Sequence, residues 1–262
     1  MKSSSLLVAF LLVVAAGCVT PGLYTSPSAI GKGNLQVGIE PALVGAANTS
    51  GFAFIPMGNL SLRYGISERL ELGGRIGATA IELLSKYQFS DPTSDGPTIS
   101  IAPTVGGFAL ASGGSSGGAT SSASVGMFGL QVPVLIGFKT GGGSEFFVGP
   151  RILDWLIFSS AGGSVGGTGS SASATLNVVN LGTSVGYYAR VSEGFALVPE
   201  INLLYPVFST AGVSAGGQSA SGSSGFGNGL FFQFGLGLVF GKGAVAAPAT
   251  GEMTAPPLPT GS

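Results

Sequence analysis

Few residues in this 262-residue chain are able to do covalent or acid–base chemistry. There is one cysteine, Cys18, and no histidine. Two segments, Gly113-Gly114-Ser115-Ser116-Gly117 and Gly162-Gly163-Ser164-Val165-Gly166, fit the pattern G-x-S-x-G. That pattern sets a serine on a tight strand-to-helix turn and needs a histidine to take its proton. With no histidine and no helix-like sequence after either, both matches come from Gly/Ser composition. The same lack excludes His-dependent hydrolases and His-ligated zinc. There is no CxxC pair and no phosphate-binding P-loop. Glu71 and Glu82 are of the type for acid–base work, but ion pairing accounts for them. The chain is therefore expected to be no enzyme and to need no cofactor or metal. Ten basic and eleven acidic residues form no patch, so a nucleic-acid partner is excluded.

Cys18 has a telling context. Lys2, a Ser-rich start and an apolar stretch from Leu6 to Ala16 precede it, the layout of a secretory signal. The tetrapeptide Ala15-Ala16-Gly17-Cys18 resembles the lipobox of bacterial lipoproteins. The resemblance implies a signal peptide over residues 1–17 and a lipidated Cys18 as first residue of the mature chain. Val19 next to it, in place of aspartate, implies sorting to the outer membrane. Cleavage after Ala16 or Gly17 that leaves a free thiol stays open as the alternative.

The elements around these residues follow from composition and period. Hydrophobic residues make up 45% of the chain and charged ones only 8%, against about 25% charged in a soluble domain. After the signal no apolar run approaches the roughly 20 residues of a membrane helix. An exported chain of this kind satisfies its backbone in lipid as a closed β-barrel. The period agrees: Leu60, Leu62, Tyr64 and Ile66 alternate with Ser61, Arg63 and Gly65, and Leu70, Leu72 and Ile76 lie opposite in parity to Glu71, Gly73 and Arg75. Phe128 to Phe138 and Leu230 to Phe240 repeat it, with glycine on much of the other face. Forty-seven glycines argue against helices.

Ten strands are expected, near 34–46, 56–66, 69–77, 81–89, 98–111, 125–139, 144–158, 174–190, 194–208 and 227–240. Short turns alternate with long, uncharged Gly/Ser-rich connections at Ser112–Ser124, Ser159–Ser173 and Ser209–Gly225, which read as flexible external loops. The segment Leu62-Arg63-Tyr64-Gly65-Ile66-Ser67-Glu68-Arg69-Leu70-Glu71-Leu72-Gly73 resembles the hairpins of bacterial outer-membrane β-barrel proteins. Two aromatic girdles fit that resemblance: Tyr64, Tyr87, Phe89, Phe138, Phe146 and Phe240 on the turn side, and Phe52, Phe54, Phe158, Tyr205 and Phe208 on the loop side. It implies an all-β, transmembrane, antiparallel up-and-down barrel over residues 34–241. Residues 18–33 form a lipidated periplasmic tether, and residues 242–262 a disordered tail. A soluble β-sandwich surface lipoprotein is the rival fold.

In the barrel the inward row carries Glu40, Arg63, Glu71, Arg75, Glu82, Lys86, Arg190 and Glu200. Arg151 and Asp154 are of opposite parity and cannot both point inward from an unbroken strand; a bulge near Leu153, or Asp154 lying above the lipid, would resolve this. Two roles stay open. One is a narrow porin-like channel for small solutes. The other is a barrel plugged by its own ion pairs, with a structural or docking role in the envelope. Both put the protein in the bacterial outer membrane, with membrane lipid as its partner and its anchored N-terminus on the periplasmic side.

Overall fold

A computed structural model describes residues 20–48, 51–77, 80–225 and 229–242. Cys18, the signal peptide and the tail beyond Lys242 lie outside the described residues. Among the described residues twelve strands follow one another: β1 (Leu35–Asn48), β2 (Gly51–Gly65), β3 (Leu70–Gly77), β4 (Ile81–Gln88), β5 (Thr98–Ile101), β6 (Thr104–Ser116), β7 (Ala119–Gly141), β8 (Ser144–Val165), β9 (Thr168–Ser192), β10 (Phe195–Ala215), β11 (Gln218–Gly225) and β12 (Gly229–Gly241). All pairings are antiparallel, and β12 pairs with both β10 and β1, closing the ring.

The twelve strands make ten staves. β5 and β6 are one stave interrupted at Ala102-Pro103, and both pair with β4 on one side and β7 on the other. β11 continues the line of β12 along β10. Proline has no N–H to give the ladder; at the β5–β6 break the two carbonyls of Pro103 and Pro133 instead accept from Ser85 and Ala102.

The wall is built inside out. Leu60, Leu62, Ile76, Ile81, Leu83, Leu130, Ile152, Leu181, Ile201 and Leu236 are all exposed on the exterior. Many of their neighbours of opposite parity are buried and polar, among them Asn59, Ser61, Arg63, Arg75, Glu82, Gln131, Arg151, Asn180, Glu200 and Asn202, and β4 shows the exposed-buried alternation. The aromatics of both girdles are exposed as well. Only lipid solvates such an exterior, so the fold is that of a transmembrane barrel. The sandwich alternative is thereby corrected: there is one sheet closed on itself, and the charged rows face its inside.

The three long connections also differ from the expectation of flexible loops. Ser112–Ser124, Ser159–Ser173 and Ser209–Gly225 are continuations of the barrel strands, paired to their tips. Each ends in a two-residue Gly-Gly turn with both φ positive: Gly117-Gly118, Gly166-Gly167 and Gly216-Gly217. Glycine takes that conformation without Cβ strain, and the turn matches the twist of a hairpin. Serine hydroxyls bond across strands, Ser124 to Ser160 at 2.8 Å and Thr120 to Ser164 at 2.8 Å. These stretches are built mostly of Gly, Ser and Ala and carry no strong apolar alternation, which is why their sequence reads as loop. Together they raise one side of the barrel into a tall curved wall, while the β1–β4 side stays low.

Candidate functional site

The lumen is occupied. Every residue from Thr20 to Gly31 is buried, and this segment, expected to hang in the periplasm as a tether, runs up the inside of the barrel. The correction has a clear cause. Thr20 to Gly31 has no regular period and only short side chains apart from Leu23, Tyr24 and Ile30, so its binding lies in its backbone and in the wall around it.

The segment enters at the end of the short turns. Gly33 donates to the Gly65 carbonyl at 2.8 Å, and the Ile30 N–H reaches Glu71 at 3.2 Å. Ala29 donates to the Gln88 side chain at 2.8 Å. It then climbs to Thr20, whose N–H donates to Glu82 at 2.8 Å and whose hydroxyl accepts from Asn59 at 3.0 Å. Glu82 pairs in register with Arg75, four residues along β3 from Glu71. The climb is therefore about 13 Å along the strand.

Ion pairs on the wall hold the acceptors and donors in place. Arg75 bonds Glu40 at 2.8 Å and Glu82 at 2.9 Å, and Lys86 bonds Glu71 at 3.0 Å. Arg63 lies 3.6 Å from Glu71, and Arg151 lies 3.6 Å from Glu200. Their remaining hydrogens turn to the segment. The Leu23 carbonyl accepts from Arg63 at 2.7 Å and from Arg75 at 3.3 Å. Lys86 donates to the carbonyls of Ser26 and Ser28 at 2.7 and 2.9 Å, and Arg151 to the Pro21 carbonyl. Glu200 accepts from the N–H groups of Leu23 at 3.0 Å and Tyr24 at 2.7 Å. Buried charges persist when paired and hydrogen-bonded, and here the plug backbone supplies several of those bonds.

Glycines shape the wall to fit. Tyr24 is 1% exposed, with a positive φ of 45°, and its hydroxyl accepts from Gln233 at 2.7 Å. Its ring lies on Gly235 and Gly237 of β12; a Cβ on Gly237 would stand 2.9 Å from the Tyr24 Cβ. Gly137 similarly receives Pro27, 2.8 Å from where its Cβ would be.

Of the residues expected in the lumen, Glu40, Arg63, Glu71, Arg75, Glu82, Lys86 and Glu200 are buried there, each at most 6% exposed. Arg190 sits instead at the rim on the short-turn side, half-buried, its side chain donating to the Ser192 carbonyl. Arg151 points in and Asp154 out, where Asn177 donates to it at 2.7 Å; β8 runs through Leu153 without a bulge. Sequence reasoning missed Glu145, which is fully buried and accepts from the Ser26 hydroxyl and the Ser28 N–H. It shares the parity of Arg151, and that signal was available. It also missed the amides Gln88, Gln131, Asn180, Asn202 and Gln233, all buried.

Above Thr20 the lumen turns apolar. Met127, Leu153, Trp155 and Leu204 form a buried layer against Phe108, Ile157 and Phe231. Farther out, the inner face of the tall wall is a concavity of about 490 Å³ lined by Leu110, Ala123, Val125, Ala161, Ala174 and Val213.

No family model matches the chain, and no curated protein matches it. Among solved structures it is similar to the translocator domain of autotransporter NalP from Neisseria meningitidis, at 14% identity and a TM-score of 0.43, covering 91% of this chain and 95% of that one. Neisserial surface protein A is 14% identical at a TM-score of 0.35, covering 79% and 96%. A major outer membrane protein of Thermus thermophilus is 15% identical at 0.34, covering 79% and 98%. Likeness at this level assigns no function.

Proposed function

We propose that this chain is a bacterial outer-membrane β-barrel closed by its own N-terminal segment, a structural or docking element of the cell envelope that does no catalysis and passes no solute while the segment is seated. Lipid is the partner of its exterior. The carrying observation is the set of backbone contacts from Thr20, Leu23, Tyr24, Ser28 and Ile30 to inward carboxylates. A lumen built to conduct would offer those carboxylates to solutes and water. Here they are spent on the plug, and ten staves enclose a space near the filled end of the barrel range. The outward wall of uncharged Gly, Ser and Ala hairpins is the feature available to a docking partner.

The test is single-channel conductance of the folded full chain in a planar bilayer, beside a variant lacking residues 20–30. Silence from the full chain and discrete steps from the deletion are expected. Discrete steps of equal size from both would make it a porin-like conduit.

A further inference from the structure

The barrel wall has a gap on its low side. β3 and β4 close their hairpin with the Gly77 N–H donating to the Ala80 carbonyl at 2.8 Å, while the staves on either side continue. β2 pairs with β3 only as far as Asn59, so its end at Gly51–Gly58 has β1 alone as a strand partner. β6 pairs with β4 only as far as Gly107, so Phe108–Ser116 has β7 alone. Two staves are missing between these edges, about 14 Å at the usual strand spacing, and the β2 edge runs free for about 27 Å.

The gap lies within the apolar band of the exterior. Its lower lip is Ile76 and Ile81, exposed at 62% and 64% and level with Leu60. The loop-side aromatics Phe54 and Phe52 stand farther along β2, toward its Gly51 end. Lipid at this level therefore meets two sheet edges whose peptide groups have no strand partner among the described residues. Hydrocarbon alone does not satisfy such edges, whereas an amphiphile with hydrogen-bonding oxygens does.

Behind the gap the lumenal face is apolar. On β2 the inward row changes from Arg63, Ser61 and Asn59 to the half-buried Met57 and Ile55. On β6 it runs from Phe108, packed on the Met127 layer, to Leu110, which is exposed. Leu110 also lines the concavity of about 490 Å³, whose far side carries Val213, exposed on the inward parity. That volume falls in the range of small-ligand sites, about 300–1,000 Å³. Its lining holds no charged side chain among the described residues, so it suits a chain and not a charged head group.

We propose that this concavity is a binding site for the acyl chain of a membrane lipid, received through the gap above β3 and β4 from the leaflet on the long-hairpin side. The lipid's ester oxygens accept from N–H groups along the free edges of β2 and β6. Its chain crosses Phe108 and Leu110 and rests between Leu110 and Val213. Continuity with the lipid-facing exterior makes the surrounding membrane the source of the ligand. The inference names a partner for the docking role and rests on membrane insertion, not on the seating of the plug.

Quenching of tryptophan fluorescence by brominated lipid tests it. Trp155, the one tryptophan of the chain, is removed as Trp155→Phe. Single tryptophans are then introduced as Val213→Trp in the concavity, Phe108→Trp at the gap, Leu83→Trp on the exterior and Val165→Trp at a hairpin tip. Each full chain, checked for heat-modifiability on a gel, is placed in vesicles of phosphatidylcholine with or without bromine at mid-chain. Val213→Trp and Phe108→Trp are expected to lose as large a fraction of their emission as Leu83→Trp, while Val165→Trp keeps its own. Ala174→Trp, the register neighbour of Val213, replaces Val213→Trp where folding suffers. Emission from the concavity that is no more quenched than that of Val165→Trp overturns the inference, whatever Phe108→Trp does. Equal quenching at Val165→Trp overturns it too, since the whole wall would then stand in lipid. An unquenched Leu83→Trp overturns membrane insertion itself.

Discussion

Tyr24 occupies the room that Gly235 leaves on the lumenal wall: a Cβ at position 235 would fall on the Tyr24 hydroxyl and ring. The relationship accounts for glycine on the inner face of a strand whose outer face is Leu230, Phe234, Leu236 and Phe240. A side chain there would compete with the plug for the same space.

Gly235→Leu is therefore expected to expel Tyr24. Overpacking of this kind costs about 1–3 kcal/mol. It should be borne by the plug, because the barrel ladder at position 235 needs no change. Protease sensitivity between residues 20 and 31 should rise, and intermittent conductance should appear, while the folded barrel still shifts on a gel when heated.

Glu200 receives two consecutive plug N–H groups and faces Arg151. Glu200→Ala leaves the guanidinium buried and unpaired, for which about 3–5 kcal/mol is expected. Glu200→Gln keeps an acceptor for the N–H groups and should lose less. Thermal melting of the two variants in detergent, followed by circular dichroism, orders them.

Arg151 and Asp154 differ in the face they occupy, and their variants should differ accordingly. Asp154→Leu on the outer face is expected to leave the melting temperature unchanged or to raise it, since charge facing lipid is unfavourable. Arg151→Leu removes the partner of Glu200 and the donor to Pro21, and should destabilise by about 3–5 kcal/mol. Equal effects in the same melting assay would contradict the assigned parity.

The hairpin tips make a separate statement. Gly166 and Gly167 have φ values of 58° and 86°, a region costing an L residue about 1–2 kcal/mol. Gly166→Val with Gly167→Val should open the β8–β9 tip to proteolysis near residues 159–173. The melting temperature of the lipid-embedded part should not move.

Parity made the wall legible from sequence. Leu60, Leu62 and Tyr64 against Ser61 and Arg63 told outside from inside, because lipid and a polar lumen impose opposite demands on alternate residues. Where that contrast vanishes the signal vanishes too. Ser112–Ser124 has small residues on both faces, so its pairing left no apolar row to read. Thr20 to Gly31 was illegible for a different reason. Many of its contacts run through peptide groups, which every sequence has, to Glu200, Lys86 and Arg63, whose parity showed them inward without showing what they face. The glycines at 137, 235 and 237 were visible as a pale inner row, but the shape they leave is known only once Pro27 and Tyr24 fill it.

The most direct measurement is amide hydrogen exchange of the full-length barrel in detergent or lipid, read for residues 20–31. The plugged account expects the N–H groups of Thr20, Leu23, Tyr24 and Ile30 to exchange as slowly as those of β3 and β4, since they bond to buried carboxylates. Exchange of this segment at the rate of a free peptide, with β3 and β4 protected, would contradict it.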